Sequence, residues 1–106
     1  MNRSHLGEME LMVLLVVVRL GDNAYGVPIS KELLILAERE VSLGSIYAAL
    51  GRLESKGFVS SSLGEPTPER GGRAKQYFRV TNSGVQALKL TRVTLTRLWN
   101  DVPLLQ

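Results

Sequence analysis

Hydrophobic and polar positions divide this chain into four helix-length stretches and one pair of short strands. The first stretch, residues 7–20, carries Leu11, Met12, Val13, Leu14, Leu15, Val16, Val17 and Val18 with almost no polar face. A helix that is apolar all round has to be covered on every side, and a domain this thin can hardly do that alone. It is either a central core helix or one that also meets a second subunit, and the second reading accounts better for its outer residues. The valine run also fits a strand, although fourteen residues is long for one.

Gly21-Asp22-Asn23 reads as a turn, and a second helix follows from about Tyr25. Pro28 is tolerated in its first turn, where the missing amide costs nothing. Ile29, Leu33, Leu36 and Ala37 form the expected inner stripe, with Lys31, Glu32, Glu38 and Arg39 facing out. After the link Glu40-Val41, Ser42 is a good N-cap for a third helix. Ile46, Ala49, Leu50 and Leu53 recur at spacings of three and four, so they share one buried face. Gly57 ends that helix, because it accepts the left-handed conformation that closes a last turn.

Phe58-Val59 and Tyr77-Phe78-Arg79-Val80 read as strands flanking a turn that contains Pro66, Pro68, Arg70, Gly71, Gly72, Arg73 and Lys75. Two helices joined by a tight turn, the second followed by a hairpin, make a winged helix-turn-helix. Thr81 caps a final helix from Asn82 to Asn100, about 28 Å long at 1.5 Å per residue. Its Val85, Leu88, Thr91, Arg92, Leu95, Leu98, Trp99 and Val102 sit close to heptad spacing. Only the first helix is left to cover that stripe within one chain. Pairing of these two helices with those of a second copy is the economical solution, with Leu11, Leu15, Leu88, Leu95, Leu98 and Trp99 at the interface. The expected fold class is mainly α with a small β-hairpin. Residues 1–80 form the winged helix-turn-helix and residues 81–106 a C-terminal dimerisation helix.

Composition narrows the partners. The chain has 106 residues, 44% of them hydrophobic, which suits one small globular domain. It has no cysteine, so disulfides and thiolate metal sites are excluded, and a reducing cytoplasm is the expected setting. The apolar run Leu11–Val18 is too short to cross a bilayer, and Glu8 and Glu10 before it are unlike a signal peptide. With a single histidine and no paired carboxylates in a plausible cleft, no catalytic constellation can be assembled, and neither a metal nor a cofactor is expected. Net charge is +3, distributed unevenly: −2 over residues 1–38, +3 over 39–79 and +2 over 80–106. Positive charge concentrates around the third helix, the hairpin and the last helix, which favours a polyanionic partner.

With those elements placed, Leu6-Gly7-Glu8, Gly21–Val27, Val41–Tyr47, Leu50–Val59, Gly64–Lys75, Tyr77–Thr81 and Gly84 form an ordered series at fixed spacings. In that series the chain resembles the PadR family of transcriptional regulators over nearly its whole length. The resemblance implies a winged helix-turn-helix with a single dimerising C-terminal helix, as in the compact branch of the family. It further implies a repressor of transcription that binds double-stranded DNA as a homodimer. Gly51 departs from the pattern, since a polar or charged residue is commoner there, and glycine costs roughly 1 kcal/mol in helix propensity.

If the third helix enters a major groove, its outer face carries Ser45, Ala48, Arg52 and Ser55. N-terminal residues of such a helix reach base edges, which makes Ser45, Tyr47 and Ala48 the readout candidates. Ser42 and Ser45 can also donate to phosphate beside first-turn amides, although Ser42 is first a cap. The resemblance puts Tyr47 against the DNA backbone; the plainer alternative packs its ring on the core with the hydroxyl outward. Arg70, Arg73 and Lys75 are phosphate or minor-groove candidates as a group, while each alone is equally a solvated loop residue. Arg52 either joins them or pairs with Glu54 or Glu69. Trp99 fits an interface core, or a flat hydrophobic ligand site between two copies such as some relatives have. A winged-helix protein-interaction module that binds no DNA is the competing function.

Overall fold

The structure, a computed structural model, describes residues 5–64 and 75–105. Its elements are α1 (Glu8–Leu20), α2 (Gly26–Ala37), α3 (Leu43–Ser55), β1 (Val59–Leu63), β2 (Gln76–Val80) and α4 (Asn82–Trp99), with short 3₁₀ turns at Gly21–Asn23 and Pro103–Leu105. This is the mainly helical winged helix-turn-helix that the periodicity predicts.

The valine-rich first stretch is a helix, not a strand. Gly7 caps α1 in extended conformation, and the Glu10 carboxylate accepts the Gly7 amide at 3.0 Å. That bond is the reciprocal half of a capping box, and the acidic first turn also complements the helix dipole. Val13, Leu14, Val16 and Val17 are buried. Leu15 and Val18 are each 45% exposed, so the chain's own elements leave one stripe of α1 bare.

The inner stripe of α2 is shorter than its spacing predicts. Ile29 and Leu33 are buried, whereas Leu36 and Ala37 are exposed along with Leu34 and Ile35. The last turn runs past the edge of the core, and Glu38 ends it in the left-handed region at φ 54°.

In α3 the four expected residues, Ile46, Ala49, Leu50 and Leu53, are the buried ones. The Ser42 hydroxyl accepts the Ser45 amide at 3.1 Å. At the other end Phe58 N–H donates to the Leu53 carbonyl and Gly57 N–H to that of Glu54, both at 2.9 Å. With Gly57 at φ 78° this is a Schellman ending. It turns the chain straight into β1.

Strands β1 and β2 pair antiparallel, Val59 opposite Val80 and Leu63 opposite Gln76. Phe58, Val59 and Phe78 face the core. The Ala24 carbonyl accepts the Phe78 amide at 2.8 Å, which ties the turn after α1 to the sheet.

Thr81 caps α4, accepting the Gly84 amide at 3.1 Å and donating its hydroxyl to the Gly57 carbonyl at 2.6 Å. Gly84 and Ala87 are buried, but the helix has no buried residue beyond them. Its outer half projects with Leu90, Val93, Leu95, Leu98 and Trp99 exposed. The chain therefore measures 56 × 29 × 21 Å, with a radius of gyration of 15.4 Å, against about 13 Å for a compact domain of this length. Among the described residues no helix is long and apolar enough to cross a membrane.

Candidate nucleic-acid interface

The outward face of α3 carries a stripe of small side chains. Gly44, Ser45, Ala48, Gly51 and Ser55 are all exposed, with the larger Leu43, Tyr47, Arg52 and Glu54 exposed beside them. A side chain added at Gly51 would meet nothing within 4 Å. Such a face lets the helix backbone come close to an opposing surface. A major groove about 12 Å wide takes a helix of 10–12 Å diameter only when its side chains are short or aimed at the base edges.

The amino end of α3 is set up for anions. Ser42 Oγ accepts the Ser45 amide and donates to Ser45 Oγ at 3.0 Å. The Ser45 hydroxyl proton stays free to donate outward, beside the first-turn amides of Leu43 and Gly44. Ser42 is thus a cap, as its position predicts.

Of its two expected placements, the structure shows Tyr47 with its ring packed on the body of the domain. Its ring lies against Phe78, with centroids 6.2 Å apart, and it is 39% exposed. Gly26 makes the room for it: a Cβ there would sit 2.7 Å from the Tyr47 hydroxyl oxygen and 2.9 Å from Cε2. A side chain at position 26 would therefore push the Tyr47 ring from where it lies.

Glu69 lies outside the described residues, and Arg52 does not pair with Glu54. Its Nε donates to Glu10 Oε2 at 3.1 Å, across from α1, while the side chain stays 53% exposed. Glu54 instead accepts the Ser61 hydroxyl at 2.7 Å. Lys56 completes the cluster, its Nζ 2.7 Å from Glu10 Oε1 and 2.8 Å from the His5 carbonyl oxygen. Glu10 is the one buried charged residue among those described. Burial pushes its carboxyl pKa up, but hydrogen bonds from Lys56, Gly7 and Arg52 outweigh that and hold it below the ordinary value. Residue spacing alone does not mark Glu10 as part of this cluster. The available signal is an acid three residues after a helix-capping glycine, at the edge of an apolar run.

Lys75, at the foot of the wing, points back toward the body. Its Nζ lies 3.4 Å from the Tyr25 hydroxyl and 4.6 Å from the Tyr25 ring centroid, and Tyr25 meets Tyr77 edge-on at 5.3 Å. Arg79 pairs with Asp22 at 2.7 Å on the exposed side of β2. Arg70 and Arg73, the other two wing candidates, lie outside the described residues.

On the opposite side, Leu11 and Leu15 of α1 and Leu88 and Leu95 of α4 form an apolar groove of about 490 Å³, edged by Lys89, Thr91, Arg92 and Thr96. Leu98 and Trp99 lie farther along α4, 69% and 68% exposed. The six expected interface residues thus fall on two facing helices, with the last two on the projecting end.

Comparison with known proteins places this geometry. The model of the PadR-like transcriptional regulator family matches residues 13–90. A PadR family transcription regulator from hypervirulent Clostridium difficile is similar at 26% identity, with a TM-score of 0.71 over 87% of this chain and 91% of that one. A transcriptional regulator from Clostridium thermocellum is likewise 26% identical, with a TM-score of 0.68 over 89% of each chain. A PadR-like transcription factor from Bacteroides fragilis, 21% identical with a TM-score of 0.75 over 92% of this chain and 89% of its own, shares the fold. No curated protein matches the chain.

Proposed function

This chain belongs to the PadR-like family of transcriptional regulators, and we propose that it binds double-stranded DNA as a homodimer and represses transcription. The observation that carries the proposal is the exposed α3 face, rich in small residues and capped by Ser42, packed beside the β1–β2 hairpin, whose connecting sequence carries Arg70, Arg73 and Lys75. Ser45, Tyr47 and Ala48 approach the base edges, Ser42 and Arg52 the flanking backbone, and the wing cations Arg70, Arg73 and Lys75 the adjoining phosphates. Lys75 must leave Tyr25 to do so, exchanging a partly hydrated cation–π contact for a phosphate.

Dimerisation supplies the second reading head. The groove lined by Leu11, Leu15, Leu88 and Leu95 is filled by the α4 of a second copy, and Leu98 and Trp99 are covered in the same step. Two heads must then stand about 34–36 Å apart to enter successive major grooves on one side of the duplex. Release comes from a hydrophobic small molecule held between the paired helices near Trp99. The setting is the cytoplasm, where the operator is.

Fluorescence anisotropy with duplexes from the chain's own upstream region, at two salt concentrations, tests the reading. Nanomolar, salt-sensitive and sequence-selective binding by a species of twice the chain mass in light scattering is the expected result. Equal, weak binding to every duplex refutes it and favours the protein-interaction module. Quenching of Trp99 fluorescence by planar aromatic compounds tests the effector.

A further inference from the structure

Capping α1 occupies only one carboxylate oxygen of Glu10, Oε1, which accepts the Gly7 amide, yet the whole side chain is held nearly buried, 5% exposed, where α1 meets α3. Burying a carboxylate is costly unless its partners hold it well. Here three donors do: the Gly7 amide, Lys56 Nζ and Arg52 Nε. The contact with Arg52 is the informative one. Glu10 takes only Nε, and the terminal nitrogens of the guanidinium carry no hydrogen bond to the described residues. They lie on the face of α3 that also bears Ala48, Gly51 and Ser55. A free arginine loses several rotors when it docks. One held at Nε by a buried carboxylate has lost most of them beforehand, so its planar fork meets a bidentate acceptor ready oriented.

We propose that Glu10 is a positioning residue for DNA recognition: it holds Arg52 by Nε so that both terminal nitrogens face the duplex as a fixed fork. The inference rests on the DNA-binding reading above. It also places the support of the reading head on α1, one residue from Leu11 of the groove. The carboxylate neither touches the duplex nor reads it. It acts through Arg52.

A double-mutant cycle on the full chain tests this, with affinity for the selected operator measured for wild type, Glu10→Gln, Arg52→Ala and the double variant. Gln keeps the volume and the bond to Gly7 but gives up the charge. Arg52→Ala is expected to weaken binding about 10- to 100-fold, the worth of a hydrogen-bonded contact to a charged phosphate, and Glu10→Gln about 3- to 10-fold. In the Arg52→Ala background Glu10→Gln is expected to change affinity less than about twofold. An unchanged or tighter Glu10→Gln, or the same loss in both backgrounds, overturns the proposal. Arg52→Lys leaves Glu10 in place and guards against a folding defect in Glu10→Gln. It keeps the charge but has one nitrogen, which cannot hold Glu10 and also present a fork, so its loss should come within about threefold of the Arg52→Ala loss. Wild-type affinity in Arg52→Lys would also overturn the proposal. If wild type itself binds no duplex, the DNA-binding reading fails and takes this role with it. If wild type binds and the cycle is additive, only the role of Glu10 fails.

Discussion

Gly84→Ala is expected to destabilise the protein, although the substitution normally favours a helix. Gly84 is the third residue of α4, and a Cβ built there would fall onto the Phe58 carbonyl oxygen, 3.1 Å from its carbon and 2.8 Å from Val80 Cγ2. The valine methyl can give way by a rotamer change, but the carbonyl cannot. That same oxygen accepts the Thr81 amide at 3.0 Å, one residue after β2. Phe58 is itself fixed at the Schellman ending of α3, and it is buried. Forcing a methyl into such a contact costs about 1–3 kcal/mol, while the lost glycine entropy returns only about 0.5–1 kcal/mol. A net loss of about 1–2 kcal/mol follows, and it lowers the melting temperature by roughly 4–15 °C for a chain of this size. Gly51→Ala is the control. It also sits inside a helix, but in open space, so only the favourable part operates and a gain of about 0.5–1 kcal/mol is expected. Urea unfolding of both variants at one fixed protein concentration separates the two effects. A Gly84→Ala variant as stable as wild type, or shifted in the same direction as Gly51→Ala, would refute the close-approach argument.

Three further outcomes are expected. Glu38 holds φ 54° at the end of α2, so Glu38→Gly should raise stability by about 1 kcal/mol by relieving left-handed strain, measurable by the same urea titration. Because the Glu10 pKa is lowered on folding from its ordinary 4.5, its stabilisation is complete above that value and fades as pH falls through the lower folded one. Thermal melts from pH 6 downward should therefore show a shallower acid loss in Glu10→Gln than in wild type; parallel curves would contradict the assignment. Leu95→Glu puts a charge in the apolar groove between α1 and α4. It should leave the helical signal of the domain largely in place while light scattering reports a single-chain mass in place of a double one.

Much of this architecture can be read from side-chain spacing, because the elements concerned are set by local rules. The cap at Ser42, the buried quartet of α3 and the stop at Gly57 all depend on residues within one or two turns of each other. Where spacing misleads, the cause is distant. The stripe of α2 continues in sequence through Leu36 and Ala37 but ends in space at Leu33, since nothing packs beyond it. The strand β1 extends through three serines that carry little β preference, and pairing with Tyr77, Phe78 and Arg79 holds them extended. Arg52 is set by a contact that is distant in sequence. Its partner lies 42 residues away on another helix, and no periodicity links the two. The needs for Gly26 and Gly84 are likewise tertiary, one making way for Tyr47 and the other for Phe58.

The join at the root of α4 has a consequence for any signal passing along the molecule. The Thr81 hydroxyl, the Thr81 amide and the absent side chain of Gly84 all engage Gly57 and Phe58 at the foot of α3. That corner is a weld with no room for a pivot. A disturbance at the far tip of α4 cannot be absorbed there by a flexing loop, and it arrives at α3 as a tilt of the whole rod. In the proposed dimer, compounds that spread the paired α4 helices by a small angle would therefore move each α3 bodily, with its internal bonding intact.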